Sequence, residues 1–287
     1  MRFHGPDALT SFTEPFPVVI FDQWGVLHNG AEPYPGAIGA IEELHRAGKR
    51  LAVLSNSGKR AESNRARIAS FGFPADRFET VMTSGEAFYR DVETGAVQLG
   101  RVFVIDAKRG DFEAWSVGLN VERTEELSQA AQLIVMGLPE GSDGSEHAHT
   151  MSQALDRGLP LYCTNPDRQS PRAGASFQIS PGSLAHQYGE KGGKVVFYGK
   201  PHAPIFHALC RELSVEPAQC LMVGDSFEHD IAGAHGIGMA AAFVMGGLHA
   251  ADFRQMDDVA TLVNKLAGSV GSQMPDYLVN RLSEVQG

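Results

Sequence analysis

A chain of 287 residues with 43% hydrophobic and 20% charged residues can bury one large or two modest cores without disulfide support. Its net charge of −10, with no block of like charges, excludes a nucleic-acid partner and requires local positive charge or a metal wherever an anionic ligand binds. Three cysteines without CxxC spacing, no apolar run near the roughly 18 residues of a membrane span, and no apolar leader behind Arg2 point to a reduced, cytoplasmic protein that crosses no membrane.

The spacing predicts a short helix near Asp7–Phe12, then a strand, Val18-Val-Ile-Phe21, that runs directly into Asp22. A continuous apolar run closed by an acid is how a buried parallel strand ends, with its polar residue at the carboxyl tip where ligands bind in open α/β sheets. Pro35-Gly36 opens a helix carrying Ile38, Ile41 and Leu44, which stops at Gly48. Leu51–Leu54 is a second apolar strand ending in Ser55-Asn56-Ser57-Gly58, and a helix through Ile68 and Phe71 follows.

From about Thr83 the alternation repeats. Strands are expected at Val102–Ile105, Leu133–Met136 and Leu161–Thr164, with helices at Asp111–Val117, Glu146–Asp156 and Gly182–Tyr188. The third of these strands ends in Asn165-Pro166-Asp167-Arg168. The last third offers a strand at Val195–Tyr198 leading to Gly199-Lys200-Pro201, and a helix over Ala203–Leu213. A strand at Cys220–Val223 then runs into Gly224-Asp225, with Asp230 beyond. The series closes with a strand at Ala241–Val244, a helix over Val259–Leu266 and a short strand at Tyr277–Val279. Gly246-Gly247 reads as a tight turn rather than a phosphate loop. Strand–helix alternation throughout implies parallel sheets wrapped by helices. The strands are too many for one sheet, and the turn at Ser84-Gly85 and the glycine-rich link at Gly189–Gly193 read as the joints of an inserted domain. That gives a core of residues 1–84 and 191–287 around an insertion of residues 85–190.

At the expected strand tips stand Asp22, Ser55-Asn56, Lys200, Asp225 and Asp230. Carboxylates crowded together repel unless a cation neutralises them. Mg²⁺ with a phosphate is the natural occupant, with Lys200 as a point charge and Ser55 as a donor to phosphate oxygens. A carboxylate such as Asp22, facing phosphorus, is an established type of covalent nucleophile.

The order Asp22…Ser55-Asn56…Gly199-Lys200-Pro201…Gly224-Asp225-xxxx-Asp230 resembles the four motifs of the haloacid dehalogenase (HAD) superfamily. The insertion between the second and third motifs is similar to the large α/β cap of its class IIA phosphatases. Thr164-Asn-Pro-Asp167 and Pro181-Gly-Ser-Leu184 add to the likeness, which spans about Val18 to Val279. The resemblance implies an α/β fold: a doubly wound, Rossmann-like parallel-sheet core with an inserted α/β cap. It implies Asp22 as nucleophile and metal ligand, the Trp24 backbone carbonyl, Asp225 and Asp230 as further Mg²⁺ ligands, and Ser55 with the amide of Asn56 as holders of the phosphoryl group. Lys200 becomes the neutralising cation. Asp167 and Arg168 are the expected cap contacts to a small phosphorylated metabolite, with Trp24 beside its leaving group. A homodimer formed through the cap is expected by family analogy alone.

One position departs. In the phosphatases of the superfamily the residue two past the nucleophile is a second aspartate, which protonates the leaving group. Here it is Trp24, whose indole cannot exchange protons near neutral pH. Three readings follow: hydrolysis of a substrate needing no acid, or one borrowing His28 or His229; binding of a phosphorylated ligand without turnover; and dehalogenase-type chemistry on Asp22. The third is disfavoured because Lys200, Asp225 and Asp230 suit a metal–phosphate site.

Overall fold

The structure is a computed structural model of the full chain, and it describes residues 2–3, 12–172, 176–255 and 258–282. Most of the helix expected near Asp7–Phe12 lies outside the described residues. The chain divides into two compact units, one comprising Met1–Ser55, Glu62–Met82 and Phe206–Gly287, the other Asn56–Ala61 and Thr83–Ile205.

The first unit is built on a seven-stranded sheet. In chain order its strands are β1 (Arg2–Phe3), β2 (Val18–Phe21), β3 (Arg50–Ser55) and β4 (Phe78–Thr83), and later β12 (Cys220–Gly224), β13 (Ala240–Val244) and β14 (Tyr277–Val279). Their spatial order is β1-β14-β13-β12-β2-β3-β4. Strand β2 lies between β3 and β12 and pairs with both in parallel, Phe21 standing level with Val53 and with Val223. All four residues of β2 are buried. That is the signature of a sheet covered on both faces, where alternation gives way to a continuous apolar run. Residues of alternate positions, Val19, Phe21, Leu51, Val53, Leu221 and Val223, gather in one core with Ile41 and Leu44. The latter two come from the helix Ala37–Arg46, which turns Ala37, Ala40, Ile41 and Leu44 inward at the i, i+3, i+4, i+7 spacing of an amphipathic helix.

The second unit has its own five-stranded sheet. Its strands are β5 (Arg101–Ile105), β6 (Glu122–Arg123), β7 (Gln132–Val135), β8 (Leu161–Cys163) and β11 (Val195–Phe197), in the order β11-β8-β7-β5-β6. Each pairing is parallel. An antiparallel hairpin of β9 (Gln169–Arg172) and β10 (Ser176–Ile179) was not foreseen; its strands are four residues each, without an apolar run to mark them. The core of this unit contains Ile105, Leu133, Val135, Leu161, Cys163, Leu184 and Tyr188.

Two local expectations change. Ser84-Gly85 is the first turn of the helix Ser84–Glu93, whose N-cap Thr83 accepts the Glu86 N–H at 2.9 Å. The Thr-x-x-Glu spacing that announces such a cap is present in the sequence. The strand at Val195 belongs to the second sheet, Val195 opposite Leu161 and Phe197 opposite Cys163. The Gly189–Gly193 link therefore turns a helix into β11 within the second unit, with Gly193 N–H on the Tyr188 carbonyl at 3.0 Å. The three cysteines are buried and unbridged, and no helix among the described residues is long and apolar enough to cross a membrane.

Behind β2 the chain makes a tight loop through Asn29, in which His28 is 1% exposed. The Gly30 N–H donates to His28 Nδ1 at 3.1 Å, so that nitrogen is an acceptor and carries no proton. Its Nε2 faces the Gln23 side-chain amide at 3.1 Å, an arrangement satisfied when Nε2–H donates to the amide oxygen. A protonated ring would lose the Gly30 bond. Burial, then the nearby Arg67 charge, accordingly pushes the His28 pKa down from 6.5 to about 4. The unfolded chain takes up this proton before the folded one, so the contribution to stability is complete above pH 6.5 and is lost as pH falls toward 4. Urea denaturation should show about 2 kcal/mol less stability from this group at pH 5 than at pH 7.5, and His28→Gln should flatten that part of the profile.

Candidate active site

The buried strand β2 ends at Phe21, but its ladder continues one residue further, because Asp22 N–H donates to the Val223 carbonyl at 2.9 Å. That bond fixes Asp22 beside the end of β12, whose own last residue precedes Asp225. The chain then folds back through a π-turn, Phe227–Ile231, which brings Asp230 toward the same point. Asp22, Asp225 and Asp230 each offer a carboxylate oxygen, and the three oxygens lie within 4.8 Å of one another. Asp225 is 4% and Asp230 0% exposed, while Asp22 is half-buried. Half-buried Ser55 ends β3, the next strand on the other side.

The carboxylates are aimed by backbone groups. Ser226 N–H donates to Asp230 Oδ2 at 3.1 Å, and Leu248 N–H donates to Asp225 Oδ2 at 2.6 Å. Gly25 and Gly247 flank Asp225 so closely that a Cβ on either would overlap its carboxylate, and Gly25 also holds φ at +87°. The Gly246-Gly247 pair, expected as a tight turn, is thus a wall of this site, and Leu248 contributes through its amide, which no side-chain pattern announces. The Tyr34 phenol is pushed up by burial and then by the negative charge of Asp225, with Arg281 opposing.

Three like charges, two of them withdrawn from water, are stable together only with protons or a cation among them. All the donors are hard oxygens, the set that Mg²⁺ and Ca²⁺ take rather than zinc or copper. The residues present therefore fit a hard divalent cation.

Trp24 lies two residues past Asp22 on a backbone bridged to His28. Its six-membered ring covers Gly30, where a Cβ would collide with it, and its plane meets the His28 ring edge-on at 6.1 Å between centroids. Trp24 therefore packs the loop. His28, weighed as a substitute proton donor, has its ring nitrogens occupied by Gly30 and Gln23 and is neutral.

The remaining expected residues stand in the second unit. Lys200 is 2% exposed. It follows β11 rather than a strand of the seven-stranded sheet: Tyr198 N–H extends that pairing to the Cys163 carbonyl at 2.8 Å. Val195–Phe197 is too short for its apolar residues to reveal which sheet it joins. Asn56, next to Ser55 in the chain, bonds the Lys200 backbone and Asp167 through its side chain. Arg168 is exposed and paired with Glu190 at 2.7 Å.

A profile of haloacid dehalogenase-like hydrolases matches residues 19–120, and a second HAD-hydrolase-like profile matches residues 197–285. Mouse chronophin is 30% identical over 236 residues, covering 80% of this chain and 81% of its own. A sugar-phosphatase from Bacillus subtilis, AraL, is 26% identical over 80% of this chain and 83% of its own. The crystal structure of a haloacid dehalogenase-like hydrolase from Brucella suis superimposes with a TM-score of 0.77 at 28% identity, covering 95% of this chain and 98% of that one. The chain belongs to the haloacid dehalogenase-like hydrolase family.

Proposed function

We propose that the protein is a Mg²⁺-dependent phosphatase of a small phosphorylated metabolite, acting through an aspartyl-phosphate on Asp22. The observation that carries this reading is the meeting of Asp22, Asp225 and Asp230 at neighbouring strand tips. The sugar-phosphatase relative supports a phosphorylated sugar or a compound of similar size as substrate. The five-stranded sheet of the second unit, β11 included, with its helices is proposed as the cap, with Arg168 exchanging Glu190 for a substrate group.

Asp22, the Trp24 carbonyl, Asp225 and Asp230 would hold Mg²⁺, which when bound supplies charge neutralisation to phosphoryl oxygens. One Asp22 oxygen attacks phosphorus in line, forming the P–O bond to aspartate as the bond to the leaving oxygen breaks. Ser55 Oγ and the Asn56 backbone N–H hold the equatorial oxygens, and Lys200 offsets the charge that gathers there. Water then attacks phosphorus, freeing phosphate and restoring the Asp22 carboxylate. With tryptophan at position 24 and His28 neutral and engaged, the leaving oxygen takes its proton from water or from His229. Substrates whose leaving groups are already stable as anions are therefore favoured.

The same observation supports a second reading, in which the protein binds a phosphorylated compound without turning it over. The two separate on product release during a long incubation with a ligand whose binding is measured by calorimetry.

Mg²⁺-dependent release of phosphate from a metabolite panel should fall at least about a thousandfold in Asp22→Asn; activity that survives would remove Asp22 from the nucleophile's place. Wild-type turnover of aryl phosphates should rise steeply as the phenol becomes more acidic. Trp24→Asp should flatten that dependence and raise turnover of alkyl phosphates by roughly a hundredfold. A Trp24→Asp enzyme with an unchanged leaving-group slope would show that proton supply does not limit the reaction. Gly247→Ala, which crowds Asp225, should weaken Mg²⁺ binding by roughly tenfold, read as a smaller Mg²⁺-induced rise in melting temperature.

A further inference from the structure

The side chain of Asn56 is occupied in a way that the phosphate-holding part assigned to its backbone does not use. Its Oδ1 accepts the Lys200 N–H at 2.7 Å, and its Nδ2 donates to the Lys200 carbonyl at 3.1 Å and to Asp167 Oδ1 at 2.7 Å. One amide thus takes both backbone groups of a single residue, as a neighbouring β-strand would, and uses its second N–H on a carboxylate. The partners fix the amide's orientation: the Lys200 N–H requires an oxygen, whereas the carbonyl and the carboxylate require the nitrogen.

The fold supplies these partners from adjacent strands. Lys200 lies three residues beyond the end of β11, and Asp167 four beyond the end of β8, two strands paired in parallel. Asp167 is itself set by its N–H, which donates to Asn165 Oδ1 at 3.0 Å. Asn56 joins the two tips.

We infer that Asn56 is a positioning residue for Lys200: its side-chain amide locks the lysine's backbone, and Asp167 holds that amide in place rather than contacting substrate. The inference rests on the proposed reading of Lys200 as the neutralising cation. A flexible four-carbon stem can deliver a point charge to one place only if its root is fixed. Charge delivered to a transition state is felt in kcat, with little change in KM. No other common residue substitutes. Aspartate offers no N–H and would repel Asp167, alanine makes none of the three bonds, and glutamine carries the amide one methylene too far.

The test uses the full chain and two independent readouts. The first is trace acetylation of lysines by acetic anhydride, quantified by peptide mass spectrometry, with exposed Lys59 as internal reference. Asn56→Ala should raise labelling of Lys200 by about fivefold or more; Asp167→Ala should raise it less, and Asp167→Asn, which keeps an acceptor for the amide, should restore the wild-type value. Unchanged labelling in Asn56→Ala, or equal labelling in the two Asp167 variants, would overturn the positioning claim whether or not the protein is a phosphatase. The second readout is Mg²⁺-dependent hydrolysis of p-nitrophenyl phosphate. Asn56→Ala should lower kcat by roughly 10- to 100-fold with KM held within about twofold, and should add nothing in a Lys200→Met background. Losses that multiply in the double variant would show that Asn56 acts apart from Lys200. If Asn56→Ala does not fold, the two Asp167 variants carry both readouts. A wild-type protein without turnover would remove the phosphatase reading alone and leave the labelling to decide the positioning.

Discussion

The mutual repulsion of three carboxylates at neighbouring strand tips is the constraint around which the first unit is arranged. Two of them are almost wholly withdrawn from water, which an apolar sheet end would not tolerate without compensation. Part of that compensation comes from the backbone: the Ser226 and Leu248 amides each donate to one carboxylate. Part comes from geometry, since Gly25 and Gly247 let main chain approach Asp225 where any side chain would collide. An all-oxygen set of this kind suits a hard cation, the proposed source of the rest. Parallel pairing of β2 with β12 is the reason the acids meet at all, because it sets both carboxyl ends at the same edge of the sheet.

Lys200, the proposed neutralising cation, belongs to the second unit, whereas the three acids belong to the first. Ser55 is the last residue of the segment that opens the first unit, and Asn56 is the first residue of the second. Within one peptide bond the sequence passes from a strand-tip hydroxyl to an amide committed to Lys200 and Asp167. Conserving this dipeptide's chemistry under mutation would therefore demand two unrelated things at once: a hydroxyl donor at one position and a planar amide at the next. Ser55 and Asn56 read as a single polar strand end in the sequence, yet the two residues fall in different units, and the Asn56 side chain bonds residues of the second.

Much of this was legible because the physics is local in sequence. A continuous apolar run closed by an acid identifies both Asp22 and Asp225, and the alternation of strands and helices is dense enough to give the fold class. What escaped has equally physical causes. The hairpin β9–β10 has no apolar run, and Val195–Phe197 is too short to declare its sheet. The Leu248 amide and the walls of Gly25 and Gly247 act through main chain, whose partners no residue pattern names. The helix at Ser84 was different: Thr83 and Glu86 stood at cap spacing, and the glycine between them drew the reading toward a turn. The Asn56 side chain was hidden by its backbone, for which the motif already supplied a use.

Trp24 stands two residues past Asp22 and packs the loop that follows it. Its ring covers Gly30 and meets His28, which burial and then the Arg67 charge keep neutral and whose Nδ1 accepts the Gly30 N–H. Tryptophan, histidine and glycine thus pack together in one loop immediately after the strand that ends at Asp22. A carboxylic acid at position 24 would be small and hydrated; the indole is large and half-buried, its six-membered ring packed on Gly30. Tryptophan here leaves no carboxylic acid at position 24, while the backbone carbonyl of that residue, one of the proposed cation ligands, does not depend on the side chain. On the proposed mechanism, proton supply and charge neutralisation, which one aspartate-rich loop would combine, are separated in this chain.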